Sequence, residues 1–237
     1  MIDLERVIAD TQSLIHIDSQ NPGIQEAACG EWVGNYLADL GLSPTRDVVE
    51  QGRENVSAVI PGDPTLPRLV ILGHLDTVPI GEGWTYPPLG GEIHGENIYG
   101  RGACDMKGGV AVGLGLMRAL AERGESPAGD VVFVGTVDEE APDMAGAHHL
   151  VASGALRPDD QVLALEPTGT RLRLAQMGLR WLTVTVTGKM AHAGRAHLGI
   201  DSAHVMARIV DRLKGHIADL PYLDDILGAP RFTCGTF

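Results

Sequence analysis

Residues 69–79 read Leu69-Val70-Ile71-Leu72-Gly73-His74-Leu75-Asp76-Thr77-Val78-Pro79. The first four are a continuous apolar run, as expected of a strand covered on both faces. His74 stands just past its C-terminal end. The same arrangement recurs downstream. Val131-Val132-Phe133-Val134-Gly135-Thr136-Val137 precedes the pair Glu139-Glu140, and Val162-Leu163-Ala164-Leu165 precedes Glu166. Open α/β sheets hold their ligands beyond the carboxyl ends of strands, where these side chains stand. A further carboxylate, Asp105, lies between the glycine pairs Gly100/Gly102 and Gly108/Gly109. One imidazole with several carboxylates suits two neighbouring divalent ions better than one structural zinc, which prefers thiolates and histidines.

The strands are set among helices. Leu4, Val7, Ile8, Leu14 and Ile15 recur at helical spacing and predict an amphipathic helix near residues 3–18, broken by Asn21-Pro22-Gly23. A second helix is expected from about Gln25 to Leu40, with Gly41 just past its end. Val56-Ser57-Ala58-Val59-Ile60 reads as a strand stopped by Pro61-Gly62, and residues 79–102 as a polar, glycine-rich connection. Helices are expected near residues 108–122 and 145–153. After Thr170 the pattern changes. Leu172 and Leu174 alternate, then Trp181-Leu182-Thr183-Val184-Thr185-Val186-Thr187 alternates cleanly, which predicts an antiparallel sheet with one open face, covered by a helix over residues 201–214. The expected class is α/β with a mixed, mostly parallel sheet over residues 1–177, followed by the beginning of an α+β domain over residues 178–237.

Composition narrows the function. The 237 residues carry a formal charge of -13, which argues against nucleic acid and against an anionic membrane surface. No run approaches the roughly 18 apolar residues of a membrane span. Cys29, Cys104 and Cys234 form no CxxC pair and are odd in number, so a reducing, cytoplasmic setting is expected.

Each candidate has a bland alternative. His74 could be a loop histidine beside an ordinary Asp76, Asp105 an Asx turn capping the next helix, Glu139-Glu140 a solvated helix start, and Glu166 a polar strand end. Against these, Asp76 is placed to orient a metal-bound imidazole, and a carboxylate between glycines can approach two ions. Adjacent residues of an extended chain point to opposite sides, so Glu139 and Glu140 cannot share one role: one can bind metal while the other faces the water. Lys107 reads as a local charge partner. A dinucleotide-binding domain is a poor reading, because Gly108-Gly109 lacks GxGxxG spacing and no acidic ribose ligand follows a suitable strand.

Taken in order, His-x-Asp, Gly-x-x-Asp-x-Lys-Gly, Glu-Glu and Glu-Pro resemble the zinc aminoacylase, acetylornithine deacetylase, succinyl-diaminopimelate desuccinylase and carboxypeptidase G family, over nearly the whole chain. The resemblance implies a zinc-peptidase-like catalytic domain in which His74 ligates one metal, Asp105 bridges both, Glu140 ligates the other and Glu166 joins His74. Glu139 is then the general acid/base and Asp76 the supporting carboxylate. The metals implied are two zinc ions, with cobalt or manganese as alternatives. Gly188-Lys189-Met190-Ala191-His192-Ala193-Gly194 resembles the family's lid, or dimerisation, domain, in which His192 would serve the neighbouring subunit of a homodimer; a loop histidine is the alternative. The implied reaction is hydrolysis of an N-acyl amino acid or small peptide. Family members complete the lid and return to the catalytic domain, where a late histidine supplies the last ligand. No counterpart follows the lid helix, so a C-terminally truncated chain is expected. The competing expectation is an inactive relic that only binds metal or assembles with a partner.

Overall fold

The computed structural model describes residues 2–23, 26–124 and 126–235 and divides into two compact units, Met1–Thr170 and Arg171–Phe237. The first unit runs α1 (Leu4–Ile15), α2 (Glu26–Asp39), β1 (Thr45–Glu50), β2 (Arg53–Ile60), β3 (Leu69–His74), β4 (Glu92–His94), β5 (Asn97–Tyr99), α3 (Lys107–Arg123), β6 (Val131–Thr136), α4 (Ala145–Ala152) and β7 (Gln161–Ala164). Gln25, the expected start of the second helix, lies outside the described residues.

Five strands form one sheet in the order β1-β2-β6-β3-β7. β6 and β7 both pair parallel to β3, while β1–β2 and β2–β6 are antiparallel. The sheet is therefore mixed but half antiparallel, not mostly parallel. The difference comes from β1, which forms an edge hairpin with β2 across Gly52 (φ 80°). Its polar sequence, Thr-Arg-Asp-Val-Val-Glu, gives little periodic contrast. A second hairpin, β4–β5, occupies part of the expected connection.

Side chains alternate across the sheet. Ile71 and Phe133 enter a core shared with α1, α2 and α3, whereas Val70, Val132 and Val134 pack with Leu150 of α4 on the other face. Burial on both faces explains the continuous apolar runs of β3 and β6. α1 is capped by Asp3, which accepts from the Arg6 amide at 3.2 Å, and α3 ends at Gly124 in the left-handed region. Two glycines bring α3 against the segment after β7. A Cβ on Gly109 would lie 2.5 Å from the Leu165 carbonyl oxygen, and one on Gly113 2.8 Å from a Leu165 methyl.

In the second unit α5 (Ser202–Ala218) is capped by Asp201, which accepts from the His204 amide at 3.0 Å. A short 3-10 helix, Ala193–Leu198, precedes it, and Lys189 bridges Ile200. The expected antiparallel sheet is not found among the described residues. Residues 171–188 form no strand, and Leu182 remains 74% exposed. Alternation creates a buried face only where neighbouring strands pair with it, and none does here. α5 likewise buries none of its residues. No described helix is long and apolar enough to cross a membrane.

Candidate metal centre

His74 is the last residue of β3, in register with Thr136 of β6. It is 2% exposed. Its Nδ1 donates to the Asp76 carbonyl at 2.9 Å, with an Asp76 carboxylate oxygen 3.6 Å away. That bond fixes the ring and directs Nε2 away from Asp76. Nε2 meets Asp105 Oδ1 at 3.2 Å and Glu139 Oε2 at 3.8 Å. One ligand atom each from His74, Asp105 and Glu166 lies within 4.8 Å of the others.

Asp76 forms the floor. Fully buried, it accepts from the Glu139 amide at 3.2 Å, the Glu140 amide at 3.0 Å and Asn21 Nδ2 at 2.9 Å. Glu139 and Glu140 leave β6 through Asp138, which holds a left-handed backbone (φ 65°) uncommon for a residue other than glycine. Asp138 is kept there by Arg53 at 2.7 Å, Asn21 at 3.0 Å and the Ala145 amide at 3.2 Å. Arg53 also pairs with buried Glu26. Lys107 is buried; its Nζ donates to the Ile17 carbonyl at 2.6 Å, and the nearby Asp18 is the carboxylate that supports its charge.

The electrostatics describe a site short of positive charge. Burial raises the carboxyls of Glu139, Glu140 and Glu166, His74 pulls each down, and neighbouring carboxylates, Asp105 among them, push each up again. Burial alone would lower His74, but the carboxylates of Asp105, Asp76 and Glu139 overcome it and push the imidazole up to about 11. Burial would raise Asp76 too, but hydrogen bonds from His74, Asn21 and the Glu140 amide hold it below its ordinary value. The Nε2 proton thus stands where a cation would. Oxygen donors with one imidazole, crowded enough to raise their own pKa values, fit a divalent ion.

The structure brings His74, Asp76, Asp105, Glu139 and Glu166 together. Glu140 is outside the 4.8 Å group, its carboxyl coupled to His74 and Asp105. His192 belongs to the second unit, where it is exposed and its Nδ1 accepts from the Gly194 amide at 3.1 Å. Sequence reasoning missed Asn21 and Arg53, and gave Asp138, beside the Glu139-Glu140 pair, no role of its own. Asn21 registers only as a helix breaker, and nothing in the spacing of Arg53 sets it apart from a surface arginine.

The chain is similar to known proteins in sequence and in fold. Over 204 residues, 80% of this chain, it is 34% identical to a succinyl-diaminopimelate desuccinylase of Methylobacterium sp. (strain 4-46), covering 50% of that protein. The chain spans between 50% and 60% of the length of the curated relatives it matches. Its fold is similar to that of a tripeptidase from Staphylococcus aureus subsp. aureus (TM-score 0.61, 22% identity, 90% of this chain and 57% of that one). It is also similar to a dinuclear metal-binding peptidase of Bacillus subtilis (TM-score 0.52, 21% identity, 68% of this chain and 42% of that one). The profile of peptidase family M20/M25/M40 matches residues 70–215, more than half of the sequence, from within β3 to within α5, so the chain belongs to that family.

Proposed function

We propose that the whole protein is a metal-dependent hydrolase of a linear amide bond, acting on an N-acyl amino acid or a short peptide. The observation that carries this reading is the convergence of His74, Asp105 and Glu166 within 4.8 Å, with the Glu139 carboxylate beside them. His74 and Glu166 would hold one divalent ion, Glu140 a second, and Asp105 both; zinc is the metal proposed. Two ions are favoured by the number of carboxylates and by the likeness to a peptidase described as dinuclear. When bound, the ions supply Lewis acidity, lowering the pKa of a water and polarising the amide carbonyl.

The chain's own residues do the rest. Glu139, half-buried and raised above an ordinary glutamate, takes the proton from the attacking water and returns it to the leaving amine. Asp76 keeps the His74 ring in one orientation and holds the Glu139 and Glu140 amides. We further assign residues 1–177 to the catalytic domain and 178–237 to a lid that forms a homodimer. His192 would then donate to the developing oxyanion in the partner subunit's site. The substrate class accords with relatives named as a desuccinylase and a tripeptidase. The cytoplasm is the proposed compartment.

The test is a panel of N-succinyl and N-acetyl amino acids and di- and tripeptides, assayed with zinc-loaded and chelator-treated protein. Hydrolysis lost on chelation and restored by zinc is expected. No turnover of any member at full zinc occupancy overturns the reading.

A further inference from the structure

We propose that Asn21 is a positioning residue for the metal centre. Its side-chain amide ties the Asp76 carboxylate to the Asp138 carboxylate and so fixes the backbone that carries Glu139 and Glu140. The inference rests on the hydrolase reading above.

Asn21 Nδ2 donates to Asp76 Oδ2 at 2.9 Å and to Asp138 Oδ1 at 3.0 Å. Both hydrogens of the amide are thereby used. All three residues are buried, at 4%, 0% and 5% exposure. Two carboxylates gathered on one nitrogen away from water repel each other, and the shared donor offsets that repulsion. Asp76 passes the constraint on by accepting from the Glu139 and Glu140 amides. Asp138 passes it on through the chain, since it directly precedes Glu139. Its other ties run to Arg53 and to the Ala145 amide. The turn at residues 138–140 therefore has two tethers, and both meet at Asn21.

Asn21 is itself held in place. Its backbone amide donates to the Thr77 carbonyl at 2.7 Å, and the Thr77 amide donates to the Ser19 carbonyl at 3.0 Å. These bonds seat the segment after α1 beside the residue that follows Asp76, which is how a side chain from the start of the chain reaches the strand ends. The Lys107 bond to Ile17 anchors the same segment without touching a carboxylate. A general loosening of this segment can therefore be separated from loss of the Asn21 amide.

The test compares the full-length wild type with Asn21→Ala, Asp76→Asn and the double variant. Zinc affinity is measured by competition with a chromophoric chelator, and kcat and KM on any substrate the wild type cleaves. Asn21→Ala should weaken zinc binding about 10–100-fold and lower kcat at saturating zinc far more than it raises KM. In the Asp76→Asn background the same change should weaken zinc binding by clearly less than it does in the wild type, because the Asp76 tether is already altered and only the bond to Asp138 is left to lose. A loss of zinc affinity below about threefold, or one that adds in full to that of Asp76→Asn, overturns the proposal. Zinc affinity is read without turnover, so an inert wild type would sink the hydrolase reading while Asn21 is still decided by metal binding. If Asn21→Ala does not fold, Asn21→Ser, which keeps one donor of the two, is judged by the same criteria.

Discussion

Leu75, between His74 and Asp76, is fully buried, whereas Leu182, between Trp181 and Thr183, is 74% exposed. Leu75 follows β3 and lies under Gly135, whose missing Cβ would fall 2.9 Å from a Leu75 methyl. Leu182 belongs to an alternating run with no paired strand on either side among the described residues. A leucine beside a polar residue thus has opposite fates in the two units. Period-2 alternation states which side chains could share a face, and the neighbours decide whether that face is covered. In the first unit the neighbours are present, and the chemistry sits on the ends of the strands they cover.

The largest effect should come at those strand ends. Glu139→Gln in the full-length protein removes the proton acceptor while nearly keeping its shape, so kcat should fall about 10²–10⁴-fold. Zinc content, measured per chain, should stay unchanged. Near-normal kcat at that zinc content would deny Glu139 its proposed role.

The two regions can next be set against each other in stability. Phe133 is fully buried, and Phe133→Ala should cost about 3–5 kcal/mol in urea unfolding. Leu182→Ala, lacking comparable packing, should stay within about 0.5 kcal/mol. Equal losses would mean that the Leu182 face is covered in solution, and the contrast would collapse.

A smaller effect concerns pH. In chelator-treated protein, His74 titrates at about 11 when folded, against an ordinary 6.5. A raised histidine contributes stability that is complete below the unfolded value and lost as pH climbs through the folded one. Thermal unfolding of this form should therefore weaken between pH 6.5 and 11. His74→Gln should flatten that part of the profile, whereas His192→Gln should leave it alone. A wild-type profile that His74→Gln does not change would remove His74 as its source.

Much of the candidate centre is legible in the sequence because β3 ends on His74, and β6 and β7 end two or three residues before Glu139 and Glu166. The buried runs of β3 and β6, closely followed by His74 and Glu139, mark a burial boundary, and a charged group at such a boundary is seldom idle; Val162-Leu163-Ala164-Leu165 points to Glu166 by sequence, although β7 itself is exposed. The hairpins are harder to see. β1 is polar and exposed, and β4 and β5 have three residues each, too few for a period. Asn21 and Arg53 are hidden for another reason. They reach Asp138 from 117 and 85 positions away, and no local pattern records a contact made by folding. Trp181-Leu182-Thr183-Val184 shows the reverse failure, a strong local pattern whose pairing the described residues do not contain.

If Asp105 and Glu166 share an ion as proposed, the close approach of Gly109 to the Leu165 carbonyl bears on selectivity for ion size. Asp105 lies just before α3 and Glu166 just after Leu165, so this contact works like the hinge of a pair of callipers whose jaws are the two carboxylates. With no Cβ at Gly109, α3 and the segment after β7 approach closely. Oxygen ligands lie about 2.0–2.2 Å from zinc but about 2.3–2.6 Å from calcium, a difference of only a few tenths of an ångström. A single methyl group at position 109 would shift the hinge by more than that. An alanine there would touch no metal, yet it would widen the gauge and move the preference toward larger ions.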